Sequence, residues 1–297
     1  MELRLGGVIP AMFLVQDERE ELATRNMRVD AHYFMDAGAE GLLVNGFTGE
    51  GPLLTPEEAQ SVCRIVVEEV GGRIPVVAGI WAGATREAVR LGRMAREAGA
   101  SALLAMPSYH VHLPTPAGMV EFYRTLGGEV GLPLVVFNVI PRASLPLEVC
   151  LEIAEVPEVI AIKQSNDDFH QLADLVRWVG HRIAVLSGID DLLFPSLALG
   201  AHGLMSAVAS LLPGPCVEMV RAVRAGDLQR ARDLHERILP VARLVMADEN
   251  YPANLKAGAE LLGRTVGPPR NPLSQPSRTV KEKILRTLQE AGFLTLS

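Results

Sequence analysis

Val159-Ile160-Ala161-Ile162-Lys163 is a short apolar run that closes on a lysine. Its apolar residues follow one another without polar alternation, and it is strand length. Strands buried on both faces of a parallel sheet have this composition. Seven runs of the same kind flank it, at residues 7–13, 41–45, 75–80, 102–106, 134–138, 183–187 and 203–207. Helix signals fill the gaps. Thr55-Pro56-Glu57-Glu58 sets a capping residue, a first-turn proline and two acids before an apolar-periodic stretch that ends at Gly71-Gly72. Thr85-Arg86-Glu87 opens a helix running to Gly99, and Thr115-Pro116 opens the next. Leu145-Pro146-Leu147-Glu148, Asp167-Asp168, Asp190-Asp191 and Leu212-Pro213 mark four further starts.

Eight strand–helix units in a row predict an α/β fold, a (β/α)8 TIM barrel. An open doubly wound sheet is the alternative. It is disfavoured because no Gly-x-Gly-x-x-Gly turn follows the first run, and because eight uniform units exceed what most open sheets use. From about residue 213 the pattern is wholly helical, with amphipathic stretches at 227–245, 250–262 and 277–291. The expected organisation is a barrel over residues 1–224 and an appended C-terminal helical region over 225–297, packed on the barrel. Gly267-Pro268-Pro269, Pro272 and Pro276 read as an extended connector within that region.

The chain has 297 residues, 48% of them hydrophobic, enough for a large core, and a formal net charge of −7. No basic block or arginine-rich arm is present, which argues against a nucleic-acid partner. No apolar run approaches the roughly 20 residues that span a bilayer, so no membrane partner is expected. The first ten residues carry Glu2 and Arg4 and do not read as a signal peptide. Cys63, Cys150 and Cys216 have no metal-ligand spacing and read as buried small hydrophobes in a reducing compartment. The expected location is cytoplasmic.

Catalysis in such a barrel sits at the C-terminal ends of the strands. Lys163 falls there, in a wall where lysine is rare without a partner or a purpose. Desolvation would lower its pKa and free some amine near neutrality, the nucleophile required for an imine with a ketone. A lysine snorkelling from a strand end fits the same run, and the run by itself leaves both open. Gly46-Phe47-Thr48-Gly49-Glu50 offers turn N–H groups and a hydroxyl that suit an anion; glycine-rich loops of this kind are also common without a ligand. Arg142 is a candidate partner for a substrate carboxylate or an ordinary surface arginine. Tyr109 is a candidate proton donor or a packed ring. His110 and His112 lack the further ligands a metal needs, and no nucleotide-binding, serine-elbow or zincin motif is present.

These motifs together resemble the dihydrodipicolinate synthase / N-acetylneuraminate lyase superfamily of class I, Schiff-base aldolases. The resemblance runs from Gly7-Val8-Ile9-Pro10 to the C-terminal helices. It is carried by Gly46-Phe47-Thr48-Gly49-Glu50, Phe137-Asn138-Val139-Ile140-Pro141-Arg142, Ile162-Lys163, Ser187-Gly188 and Gly203-Leu204-Met205-Ser206. It implies a lyase acting on pyruvate or another small 2-oxo acid, with no metal or organic cofactor, in a homotetramer built as a dimer of dimers. It implies Lys163 as the Schiff-base lysine and Thr48 with its backbone as the carboxylate site. Gly188 and the Met205 carbonyl would line the pocket, with Arg142 at its entrance. Tyr109 matches a tyrosine that a neighbouring subunit contributes.

Two positions depart from the pattern. The family's strand-five motif begins with a tyrosine whose hydroxyl relays protons; here it is Phe137. The loop after strand two carries Thr, Ser or Gly where this chain has Phe47. The chain therefore keeps the amine and lacks two hydroxyls of the relay, each such group being worth about 10²–10⁴-fold. The proline of the Arg142 loop also stands one position later than usual. The expectation is a divergent synthase-like lyase with Phe47 and Phe137 lining the substrate pocket. The alternatives are a 2-keto-3-deoxy sugar acid aldolase or dehydratase and, in another class, a non-catalytic barrel that binds a 2-oxo acid.

Overall fold

The computed structural model describes residues 3–106, 114–139 and 144–294. Among these, eight parallel strands form one sheet: β1 (Gly7–Val8), β2 (Leu42–Val44), β3 (Val76–Ile80), β4 (Ala102–Ala105), β5 (Leu134–Asn138), β6 (Val159–Gln164), β7 (Ala184–Ser187) and β8 (Gly203–Leu204). Their order is β1-β8-β7-β6-β5-β4-β3-β2. A parallel bridge between Ala11 and Leu43 closes the ring, with Met12 N donating to Leu43 O and Leu43 N to Pro10 O. The sheet is the barrel that the eight runs predict.

Most strands keep to their runs within a residue at either end, and two are much shorter than the sequence suggests. The first run pairs as a strand only at Gly7–Val8, because Pro10 has no N–H to continue the ladder. The last ends at Leu204, although Met205 N still donates to Ser187 O. Beyond it Ser206 turns the chain into a short helix.

The helices are α1 (Thr24–Asp36), α2 (Pro56–Val70), α3 (Thr85–Glu97), α4 (Pro116–Val130), α5 (Leu147–Ile153), α6 (Phe169–Val179), α7 (Leu193–Ala198), α8 (Val208–Leu211), α9 (Pro213–Arg224), α10 (Leu228–Val245), α11 (Tyr251–Leu261) and α12 (Arg278–Glu290). The expected signals operate where they are strongest. Thr55 Oγ1 accepts from Glu58 N while the Glu58 carboxylate accepts from Thr55 N, and Gly71 closes α2 at φ 57°. A cap of this kind contributes about 1 kcal/mol. Asp168 caps α6 through Gln171 N. Asp190 does not cap the helix it precedes. Its carboxylate reaches across to α8, accepting from Val208 N and Ser206 Oγ, both at 2.6 Å.

The apolar residues sort into two layers. Val44, Val76, Leu103, Val136, Ile162 and Val185 face the helices. Leu43, Val77, Leu104, Val135, Phe137, Ala161 and Leu186 fill the barrel interior. This alternation decides the direction of Lys163, two residues beyond Ala161 and therefore on the inner face.

Candidate active site

Lys163 stands near the end of β6 in register with Phe137 of β5 and Leu186 of β7. It is 8% exposed. Its Nζ lies 4.0 Å from the centroid of the Phe137 ring. Burial lowers its pKa to about 8, and the Asp190 carboxylate opposes that shift. The ring face under Nζ also favours the ammonium, so Phe137 acts on the charge in both directions, by excluding water and by its quadrupole. Desolvation prevails. At pH 7 roughly a tenth of the molecules then carry the free amine, against well under one in a thousand for an unperturbed lysine.

Space for the lysine stem depends on Gly188. A Cβ there would stand 2.7 Å from Lys163 Cε, 2.0 Å from Ser165 Oγ and 3.0 Å from Met205 O. Gly188 N donates to Gln164 O, which fixes the turn beside the lysine. Met205 is fully buried. Gly188 and the Met205 carbonyl are thus brought together against Lys163.

The loop after β2 holds Phe47 and Thr48. Asn45 and Glu50 both have φ 55°, a left-handed conformation that reverses the chain twice. Gly51 N donates to Gly46 O and Glu50 N to Phe47 O. Among the described residues the N–H groups of Phe47 and Thr48 have no acceptor. The Thr48 side chain is buried; burial raises the pKa of the Tyr251 phenol at the start of α11, and Thr48 pulls it back. Two free N–H groups beside a hydroxyl make a cradle for an anion.

Phe47 stacks on Trp81 at a centroid distance of 4.3 Å, and its ring lies 5.5 Å from that of Phe137. Trp81, just past β3, donates its indole N–H to Asn45 O at 2.7 Å. Three rings therefore form an apolar wall on one side of Lys163. The opposite side is polar: Asp190 with Ser206, and Ser165, whose buried hydroxyl has no partner among the described residues. Burial raises the Asp190 pKa, with Ser206, Val208 and Lys163 pulling it back. A cleft of about 310 Å³ opens there, lined by Ser165, Gly188, Asp190 and, from the end of α10, Arg243 and the following Met246.

Thr48, Phe47, Phe137, Lys163, Gly188 and Met205 thus lie on strand ends gathered at one mouth. Tyr109 and Arg142 lie outside the described residues, as do His110 and His112. Sequence reasoning missed Trp81, Ser165, Asp190 and Tyr251. Trp81 directly follows the third run, a strand-end position that would have found it. Asp190 looked like a helix start, and Tyr251 has no local signal, being 88 residues from Lys163. No group of three His, Cys, Asp or Glu suited to a metal occurs among the described residues.

A barrel with a buried lysine at the end of its sixth strand and an anion cradle after its second is the architecture of a Schiff-base lyase. The chain belongs to the dihydrodipicolinate synthetase family, whose model matches residues 4–291. It is 33% identical over 296 residues to the 4-hydroxy-tetrahydrodipicolinate synthase of Desulforudis audaxviator, covering 99% of this chain and all of that one. The crystal structure of dihydrodipicolinate synthase from Aquifex aeolicus superposes with a TM-score of 0.90 at 31% identity, covering 97% of this chain and 98% of the other. The chloride-inhibited dihydrodipicolinate synthase of Acinetobacter baumannii, complexed with pyruvate, does so at 0.91 with 27% identity, over 97% and 99%.

Proposed function

We propose that this chain is a Schiff-base-forming lyase that acts on pyruvate or another small 2-oxo acid, with Lys163 as the nucleophile. The observation that carries the reading is the state of Lys163: buried, aimed into the barrel mouth, its pKa lowered to about 8, and given room by Gly188. The free amine attacks the ketone carbon, held by its carboxylate on Thr48 Oγ1 and the loop N–H groups, with Arg142 at the entrance and Tyr109 as a donor from a neighbouring subunit. Loss of water gives an iminium, whose positive charge makes the adjacent carbon acidic and able to form or break a carbon–carbon or carbon–oxygen bond. The reading includes the homotetramer of the resemblance, which sedimentation of the full chain would test.

The relatives' names suggest the synthesis of 4-hydroxy-tetrahydrodipicolinate. Phe137 and Phe47 argue that the chain has diverged from that reaction, because neither ring has a polar atom to deliver a proton. A second reading, a 2-keto-3-deoxy sugar acid aldolase or dehydratase, is favoured by the polar side opposite the rings. Asp190, Ser206 and the Ser165 hydroxyl, which has no partner among the described residues, would suit a hydroxylated partner. Borohydride trapping of the full chain with a panel of 2-oxo acids, followed by peptide mass mapping, tests both. A reduced adduct on the Lys163 peptide is expected with pyruvate or a sugar-derived 2-oxo acid. Binding of these acids with no adduct from any of them would sink the lyase and leave a non-catalytic binding barrel.

A further inference from the structure

The anion cradle after β2 serves a carboxylate best if its peptide planes hold still, because donors already aimed cost nothing to orient when the ligand arrives. The far end of the loop is held at Glu50, whose Oε2 accepts from Arg270 N. The near end starts at Asn45, in a left-handed conformation that persists only where the surroundings fix it. Those surroundings centre on Trp81. Asn45 O accepts the indole N–H of Trp81 at 2.7 Å, and Asn45 Nδ2 donates to Ala59 O of α2 at 2.9 Å. The pairing of Val44 with Ala78 carries Asn45 alongside Gly79. Bare backbone makes the approach possible. A Cβ at Gly79 would stand 2.4 Å from Asn45 O, and one at Gly51 would stand 2.0 Å from that oxygen and 2.4 Å from the indole nitrogen. The same indole lies nearly flat on the Phe47 ring, with 17° between the planes. One side chain at the end of β3 thus grips the residue before Gly46 by a hydrogen bond and the residue after it by a stack. Phe47 stands where the family pattern has Thr, Ser or Gly, and the stack gives its ring a use.

We propose that Trp81 is a positioning residue for the 2-oxo acid: its indole clamps the loop after β2 at Asn45 and at Phe47, so that the N–H groups of Phe47 and Thr48 stay aimed at the substrate carboxylate. This deepens the reading given above and rests on it for the substrate. Trp81 acts through the loop and not on the reacting atoms. A carboxylate held in one place sets the ketone carbon at one distance from Lys163 Nζ, and the rate of attack depends on that distance. The indole also meets the Phe137 ring edge-on, with centroids 6.2 Å apart, and Nζ lies over that ring. The carboxylate site and the wall beside the nucleophile therefore share one support. The clamp matters for a ketone that carries a carboxylate and little for one that does not.

The test measures borohydride trapping by the full chain with pyruvate and with methyl pyruvate, which has the same ketone without the carboxylate charge. Pyruvate binding is followed separately by titration calorimetry. Trp81→Phe keeps a ring for the stack and removes the N–H. It is expected to lower pyruvate trapping relative to methyl pyruvate trapping by at least about tenfold, since a displacement of about 1 Å can cost ~10²-fold, and to weaken pyruvate binding. The pH midpoint of trapping is expected to stay in place, because the wall beside Lys163 keeps its ring. A Trp81 that merely fills space would lower both trapping rates together, and that result overturns the proposal, as does an unchanged ratio. Should Trp81→Phe fail to fold, the natural protein decides. Its other tryptophan, Trp178, is exposed on α6 and serves as the internal control. In NMR spectra of the indole N–H groups, assigned with Trp178→Phe, saturating pyruvate is expected to shift the Trp81 resonance and not that of Trp178. An unmoved Trp81 resonance overturns the clamp. If the natural protein forms no adduct with any 2-oxo acid, yet binds pyruvate and loses that binding in Trp81→Phe, the Schiff-base reading falls and the clamp stands.

Discussion

Lys163 carries opposing demands, and their balance can be measured. Its folded pKa of about 8 lies below the ordinary 10.5, so between those values the unfolded chain binds more protons than the folded one. Stability therefore rises with pH through that window, and at neutral pH the buried ammonium is a net destabilising group by about 3 kcal/mol. Lys163→Met should abolish trapping and raise the unfolding free energy at pH 7 by up to that amount; a variant no more stable than the natural protein would show that Lys163 is not desolvated. For the same reason, the trapping rate should climb with pH and level off above about 8. Gly188→Ala probes the room this lysine needs. A methyl there meets Cε, Ser165 Oγ and the Met205 carbonyl at once, and the flexible lysine yields first. A displacement of about 1 Å can cost ~10²-fold, so trapping should fall by at least tenfold while the pH midpoint stays in place. An unchanged rate would show that the lysine stem does not use that space.

The strand and helix scale shows why some of the site was readable and some was not. β5 and β6 announce themselves as apolar runs, and Lys163 interrupts one of them, so both the strand and its unusual residue are local signals. α2 is equally plain because its cap, proline and terminal glycine all lie within a few residues of it. α1 has no side-chain cap, which is why its start leaves no mark in the sequence. Asp190 misleads because an acid before a helix normally caps it, whereas here the carboxylate bonds a helix 18 residues further on. The amide cluster behind β5 and β6 was invisible for the same reason. Asn138 Nδ2 donates to the side-chain oxygens of Gln164 and Gln171, Gln171 Nε2 donates to Leu145 O, and Leu145 N returns to Asn138 Oδ1. These bonds tie the Lys163 strand to the loop after β5. Leucine at position 171 would orphan amides that are fully buried, so Gln171→Leu should destabilise by about 1–3 kcal/mol, read by denaturant unfolding, and should lower the trapping rate as well. A neutral effect on both would mean that the cluster only fills space.

At the scale of the molecule, the C-terminal helices are joined to the barrel by buried charge rather than by apolar packing alone. Lys256 meets Glu50 Oε1 and donates to Pro268 O, while Glu50 Oε2 accepts from Arg270 N. The Arg270 guanidinium reaches Gln16, Glu58 and the Glu20 carbonyl, and Arg264 pairs with Asp30. Every one of these pairs that joins the tail to the barrel spans more than 200 residues of sequence, so the barrel pattern could show where the strands lie but not that the tail locks the Thr48 loop. We propose on this basis that the division near residue 224 is one of pattern and not of folding, and that the chain unfolds in a single transition. Lys256 burial lowers its pKa, with Glu50 resisting, which is the balance of a buried pair that is costly to break from one side. Lys256→Met should leave the Glu50 carboxylate uncompensated and destabilise by about 3–5 kcal/mol. It should also weaken pyruvate binding, since the same loop carries the anion cradle. Adding Glu50→Gln should return much of the stability, because the buried charge is gone, but not the binding, because the loop has lost its anchor. Calorimetric unfolding with and without pyruvate separates the two effects. A double variant no more stable than Lys256→Met, or two resolved transitions in the natural protein, would mean that the ions do not join the two parts into one cooperative unit.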